Sequence, residues 1–182
     1  MPLPASRVYT SEDYWNLPDG VRAELIDGEL YDMAPPDWAH QAIVAGIVTD
    51  LNTHIRRHGG NCKAVPAPVA VNLDANDETW VEPDVVVVCD SSRISKRGVE
   101  GAPDMVVEVV SPSSVGMDYI PKTARYRRAG VREYWIVDPG SEQTAVYLFE
   151  GDSLALRVYP FSEPVPVGIF GGLSIAIEPF VE

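Results

Sequence analysis

The sequence predicts an α/β domain in which helices flank a largely mixed sheet. Three observations point there. Two runs, Asp84-Val85-Val86-Val87-Val88 and Met105-Val106-Val107-Glu108-Val109-Val110, are apolar at successive positions, as strands covered on both faces are. A third strong strand runs from Arg132 to Asp138 through Tyr134-Trp135-Ile136-Val137. Between hairpin and strands, Ile43, Ile47, Leu51 and Ile55 recur every fourth residue, with Val44 and Val48 beside them, which is the stripe of an amphipathic helix.

The elements follow in order. Ser11 is placed to N-cap a short helix over Glu12-Asp13-Tyr14-Trp15, stopped by Pro18-Asp19-Gly20. Arg22 to Asp32 reads as a hairpin turning at Asp27-Gly28. Asp37 caps a helix over 38–57, and Gly59-Gly60 ends it. Pro66 and Pro68 make the stretch 63–73 irregular or an edge. Trp80 to Cys89 and Pro103 to Val110 are expected to be neighbouring strands, separated by a polar segment with room for one helical turn. A helix is expected from near Asp118 to Ala129, with Pro121 in its first turn and Gly130 as its cap. Further strands fit 143–149, 154–160 and 173–177, a β-rich C-terminal part.

At 182 residues the chain is expected to form a single domain, 1–182, with a full core. No apolar run is long enough to span a bilayer, and Met1 to Arg7 lacks a charged-then-apolar leader pattern, so a cytoplasmic location is expected. Cys62 and Cys89 lack metal-type spacing, and in a reducing compartment both are expected to be free, buried thiols. The net charge of −13 argues against broad, non-specific nucleic-acid binding. That charge is uneven: residues 1–92 carry −10, 93–132 carry +4 and 133–182 carry −7. The positive stretch holds Arg93, Lys96, Arg97, Arg125, Arg127, Arg128 and Arg132. It suits a phosphate backbone, or else the helix arginines are simply a solvated face. No Gly-x-Ser-x-Gly surrounds Ser111, Ser113 or Ser114, and no Gly-x-Gly-x-x-Gly or phosphate loop occurs, which disfavours serine hydrolase and nucleotide-fold chemistry.

Asp84 and Glu108 stand out because each is a carboxylate inside a valine run, where an uncompensated charge is costly. Both are hard oxygen ligands suited to Mg²⁺ or Mn²⁺, and the carbonyl of Val109 could add a third. Lys122 lies near the start of its helix and can point back at Glu108, to orient or deprotonate a water or to neutralise phosphate charge. Glu24, on the hairpin strand, is a further candidate as a water or second-metal ligand. His40 is placed either to contact a phosphate or water or to pack and cap. The competing readings are a backbone-bonded Asp84, an arginine-paired Glu108, a solvated Lys122 and an exposed Glu24.

These segments resemble a known family. Glu24-Leu25-Ile26-Asp27-Gly28-Glu29-Leu30, Glu82-Pro83-Asp84-Val85-Val86-Val87-Val88 and Gly101 to Ser113, followed by Asp118, Lys122, Tyr126 and Gly130 to Pro139, are similar in kind and order to the Uma-two family of restriction-endonuclease-like proteins, within the PD-(D/E)xK nuclease superfamily. The resemblance covers about residues 10–180. It implies a restriction-endonuclease-like fold, a central mixed β-sheet flanked by helices, and a Mg²⁺-dependent nuclease-type site with Asp84 as the motif aspartate and Glu108 as the second acid. The chain departs from the superfamily pattern at Val110, where the simple motif has lysine; the resemblance implies that Lys122 supplies it from the following helix.

The expected function is therefore phosphodiester hydrolysis of nucleic acid, DNA favoured, by a metal-activated water. The alternative is a catalytically inactive nuclease-fold module for binding or assembly. A homodimer is expected as the commonest soluble assembly, with Tyr147, Phe149, Tyr159, Phe161 and Phe170 in excess of what a small core needs.

Overall fold

The computed structural model describes residues 7–110, 119–151 and 153–181. A short helix α1 (Ser11–Trp15) precedes the hairpin β1 (Ala23–Ile26) and β2 (Glu29–Asp32), then the long helix α2 (Trp38–Arg57). Short strands follow: β3 (Lys63–Pro66), β4 (Val71–Asn72), β5 (Trp80–Val81), β6 (Val85–Val88), β7 (Ile94–Ser95), β8 (Gly98–Glu100) and β9 (Met105–Val109). Helix α3 (Tyr119–Ala129) leads into β10 (Glu133–Asp138), β11 (Gln143–Glu150), β12 (Ser153–Pro160), β13 (Val165–Pro166) and β14 (Ser174–Ile175). The polar segment after β6 holds the single helical turn expected of it, at Ser91–Arg93.

The main sheet runs β12-β11-β10-β9-β6-β3, and a second six-stranded sheet runs β2-β1-β5-β4-β8-β7. β9 and β10 are parallel while β6 pairs antiparallel with β9, so the main sheet is mixed and the three apolar runs are adjacent, as expected. Trp80 to Cys89 is not one strand. It breaks at Glu82-Pro83-Asp84, leaving β5 in the second sheet and β6 in the main one. Pro83 has no N–H to give a ladder, so pairing stops there and the chain changes sheets.

The valines of the main sheet are buried on both faces. Val85, Val87, Met105, Val107 and Trp135 pack beneath the α2 stripe of Ile43, Ile47, Leu51 and Ile55. On the opposite face Val86, Val88, Val106, Tyr134 and Ile136 meet Val71, Val81 and Val99 of the second sheet and Tyr126 of α3. Asp37 caps α2 through the backbone of His40, at 2.8 Å. At α1 the cap is Thr10 rather than Ser11, whose hydroxyl instead accepts from the Trp80 indole at 2.6 Å. The hairpin turns through Asp27 and Gly28, both at positive φ, the backbone that a two-residue turn of this hand requires.

Two expectations are corrected here. Cys62 and Cys89 are not free thiols but form a disulfide, and both are half-buried. The cause is register: Lys63 pairs with Val88, so the residues just outside that pair face each other across β3 and β6. The C-terminal aromatics are not surplus either. Phe149 and Phe161 are buried in the core, and Tyr147, Tyr159 and Phe170 pack against it. Exposed apolar surface lies instead on the edge strand β12, at Leu154, Leu156 and Val158.

Glu133 is fully buried at the head of β10 and closes the C-terminal segment onto the sheet. Its carboxylate accepts from the Trp135 indole at 2.7 Å and from the backbone N–H groups of Gly168 and Ile169 at 2.9 and 2.8 Å. Gly168 suits this approach, since a Cβ there would lie 2.7 Å from the end of the Leu148 side chain and 3.3 Å from Glu133. Glu133→Ala would leave the buried Trp135 indole N–H, and the N–H groups of Gly168 and Ile169, without this acceptor. A loss on the order of 2–3 kcal/mol is expected, measurable by denaturant unfolding, and a loss within experimental error would show that the clasp contributes nothing.

Candidate active site

The antiparallel register of β6 and β9 sets Val85 opposite Val107, so Asp84, one residue earlier, falls opposite Glu108. Opposed residues of antiparallel strands share a face, and this is the face covered by α3 and the second sheet. Asp84 stands where β6 begins after Pro83. Its Oδ2 accepts the Val109 N–H at 2.7 Å, continuing the ladder where strand pairing stops. The same oxygen lies 3.2 Å from Nε2 of His40, in the first turn of α2. The other ring nitrogen of His40 faces Gln41 Oε1 at 3.1 Å, so a doubly protonated ring satisfies both acceptors. Burial works to lower the pKa of His40, but the hydrogen bond and charge of Asp84, helped by Gln41 and Asp37, outweigh it and the net direction is up.

Lys122 is not a solvated helix lysine: it is 8% exposed. Its Nζ lies 2.9 Å from Glu24 Oε2 and 3.2 Å from Glu108 Oε1. Tyr126, one turn further along α3, donates to the same Glu108 oxygen at 2.7 Å. Glu24 is buried on β1 and also accepts the Glu82 N–H at 3.0 Å. Glu82 in turn takes Arg22 at 2.8 Å and the Tyr14 hydroxyl at 2.9 Å. Second sheet, main sheet and α3 thus meet at one buried ammonium. Glu108 is pushed up from 4.5 to about 7, chiefly by burial; the charge of Lys122 opposes this, Asp84 and Glu24 reinforce it, and the Tyr126 hydrogen bond acts with Lys122. Tyr126 rises well above the ordinary phenol value, through burial first and the Glu108 charge second.

The expected residues therefore converge, with particular roles changed. Asp84, Glu108, Lys122 and Glu24 form one cluster, joined by His40. Val109 enters through its N–H to Asp84. Arg125 does not face outward toward a backbone; it forms a two-pronged pair with Asp27 that ties α3 to the hairpin turn. Ser111, Ser113, Ser114 and Asp118 lie outside the described residues. Sequence reasoning gave no role to Tyr126 or Glu82. The signal for Tyr126 was its spacing, four residues after Lys122 and hence on the same helix face; nothing local marked Glu82.

The donor set fits a hard divalent cation in its chemistry. Asp84 Oδ1 and Glu108 Oε2 accept no hydrogen bond among the described residues, so each opposed carboxylate keeps one oxygen free. No group of three or more His, Cys, Asp or Glu side chains suited to a metal occurs among the described residues. Any ion here would depend on two carboxylates, a backbone carbonyl and water or substrate oxygens, which is how Mg²⁺ is usually held.

Mixed sheet, flanking helices and a carboxylate pair facing a lysine define a restriction-endonuclease-like α/β protein. Residues 11–178 match the Uma2 family model, described as "Putative restriction endonuclease", and the chain belongs to that family. It is 27% identical over 172 residues to the uncharacterized protein slr1290 of Synechocystis sp., covering 92% of this chain and 88% of that protein. It also shares its fold with the crystal structure of "a putative nuclease belonging to DUF820" from Anabaena variabilis, at a TM-score of 0.74 and 22% identity, covering 94% of this chain and 97% of that one.

A carboxyl whose pKa rises on folding stabilises the folded state in its protonated form. The contribution of Glu108 is therefore fully present below 4.5 and is lost as the pH rises through about 7. Between about pH 5 and 8, the denaturant midpoint of the wild type is expected to fall relative to that of Glu108→Gln, which does not titrate. Parallel curves would show that Glu108 ionises at its ordinary value.

Proposed function

We propose that this chain is a metal-dependent nuclease, with DNA as the first substrate to test. The observation that carries the reading is the opposed pair Asp84 and Glu108, each with one free oxygen, beside a buried Lys122. Three carboxylates, Asp84, Glu108 and Glu24, face one lysine and one histidine; burial first, and the charges of Asp84 and Glu24 after it, push Glu108 up against the opposing charge of Lys122. Such a site favours an added cation. When bound, Mg²⁺ or Mn²⁺ supplies a lowered pKa for its water and compensation for charge on a phosphate oxygen.

The chain's own residues have separate tasks. Asp84 and Glu108, with the Val109 carbonyl, would hold the ion. The Val109 N–H and His40 fix the Asp84 carboxylate, and Tyr126 fixes that of Glu108. Glu24 anchors Lys122, whose ammonium can orient the attacking water or stabilise charge at phosphate. The tight pairing of Lys122 with two carboxylates equally suits an inactive binding or assembly module, and activity decides between the two.

Cleavage of single- and double-stranded DNA and RNA with Mg²⁺ or Mn²⁺ is the primary test. Asp84→Ala and Glu108→Ala are expected to abolish cleavage and to weaken Mn²⁺ binding by calorimetry. Lys122→Ala is expected to lose about a hundredfold in rate while keeping metal, assayed at a temperature where its unfolding curve shows it folded. Wild-type protein that binds no divalent metal and cleaves none of these substrates establishes the module reading instead.

We also propose a homodimer. Its support is the edge of β12, unpaired among the described residues, with Leu154, Leu156 and Val158 exposed, since unprotected apolar edges are association sites. Light scattering is expected to give twice the chain mass for wild type and a monomer mass for Leu156→Lys; a wild-type monomer rejects the dimer.

A further inference from the structure

A cleft of about 490 Å³ opens between the two sheets, away from the carboxylate cluster. One wall is β3, the end strand of the main sheet; the other is the hairpin of β7 and β8, where the second sheet ends. Trp15, Lys63, Val65, Ile94, Lys96 and Arg97 are among its lining residues. Lys63 and Val65 pair with Val88 and Val86, so they lie on the face of the main sheet that carries Asp84 and Glu108. Glu82 also lines the cleft, and its N–H bonds Glu24 of the cluster, so a single residue joins the two places.

Charge says what the cleft would take. The chain carries 27 acidic and 14 basic residues, so a surface cation has many carboxylates within reach. Arg7, Arg22, Arg93, Arg125 and Arg132 all have one. Lys63, Lys96 and Arg97 pair with no carboxylate among the described residues; the same holds for Arg56, Arg57, Arg128 and Arg157, but those lie apart from this cleft, whereas these three gather in it. Three uncompensated cations in an acidic protein select an anion. The floor adds a second requirement. Trp15 is 38% exposed, with the Arg97 guanidinium 5.7 Å from its ring centre, and Val65 and Ile94 are 36% and 43% exposed. Indole and guanidinium are the flat groups on which nucleobases stack.

We propose that this cleft binds single-stranded nucleic acid, a base stacking on Trp15 and Arg97 while Lys63 and Lys96 hold flanking phosphates. An inorganic anion or an acidic peptide uses the cations but leaves the indole without a flat partner. A duplex presents phosphates but keeps its bases stacked inside, where Trp15 cannot reach them. A single strand supplies both at once. The proposal deepens the nuclease reading, on which it rests for its consequence: an unpaired strand held here is delivered to Asp84 and Glu108.

Binding and cleavage are separated by working in EDTA. The probes are a labelled DNA strand of about 12 nucleotides, the same sequence as RNA, and its DNA duplex, read by fluorescence anisotropy with the full chain. The expected result is preference for the single strands, with affinity falling as salt rises. Lys96→Glu/Arg97→Glu, at two exposed positions, is expected to weaken binding at least tenfold, and Trp15→Ala by a similar factor; Trp15→Phe keeps a ring and most of the affinity. Tighter binding of the duplex, no binding of any strand, equal binding by the charge-reversed variant, or displacement by a poly-glutamate peptide as efficient as by a single strand overturns the proposal. Single-strand binding with the stated variant sensitivity upholds the cleft even where no nucleic acid is cut, in which case only the nuclease reading falls. Cleavage at the wild-type rate by a charge-reversed variant that has lost binding leaves both the cleft and the nuclease and overturns only the delivery of the strand from one to the other.

Discussion

The buried ammonium of Lys122 is the contact on which the arrangement of the molecule depends. It reaches Glu24 from the second sheet and Glu108 from the main sheet while itself belonging to α3. A charge this deep must be paired, because removing one partner of a buried ion pair costs on the order of 3–5 kcal/mol. Hydrophobic contact alone would let two sheets slide over one another, since apolar burial has no direction. An ion pair with hydrogen-bond geometry does not allow that. The three elements are thereby held in one register, and Tyr126, on the same helix face, fixes the Glu108 oxygen that Lys122 contacts.

The break at Pro83 has a comparable effect on Asp84. Asp84 keeps one backbone link to the main sheet, its carbonyl accepting the Ala67 N–H at 2.9 Å, but it lies just outside the paired run of β6. With pairing interrupted, the Asp84 carboxylate takes over a ladder position by accepting the Val109 N–H, and it is met there by His40 from the capped start of α2. The local rule that a proline ends strand pairing thus produces the position from which a carboxylate can act. The same interruption sends β5 into the second sheet, which brings Glu82 and Glu24 alongside.

Electrostatics across the molecule follows two regimes. At the cluster, acid is in excess and buried, and the protein offsets it with one lysine, one histidine and a carboxyl held partly protonated. At the cleft between sheet edges, cations are in excess and exposed, within a chain of net charge −13. The two regions share a sheet face and carry opposite signs; in the proposed reading the cations draw the polyanion and the carboxylates hold the ion that acts on it. Arg125 of α3 belongs to neither: it is spent on the hairpin turn, so the positive segment 93–132 is divided between structure and surface.

The sequence by itself determined the elements and the face each buries. Valine runs can be satisfied only by cover on both sides, the four-residue stripe of α2 can bury only one way, and Asp27-Gly28 and Asp37 carry their own turn and cap chemistry. It also singled out Asp84 and Glu108, because carboxylates in valine runs are conspicuous by cost, and with them Lys122 at the start of the following helix and Glu24 on the hairpin strand. What only the tertiary structure decided are relations between segments. Whether Trp80 to Cys89 is one strand or two depends on which sheet each half meets. Whether Cys62 reaches Cys89 depends on the pairing of β3 with β6. Whether Arg125 faces substrate or Asp27 depends on where α3 lies against the hairpin. Glu82, Tyr126 and the cleft at Trp15 have no local signature, since each acquires its role from partners distant in the chain. Period and propensity act within a few residues, whereas register, pairing and electrostatic neighbourhood exist only once the sheets have closed on one another.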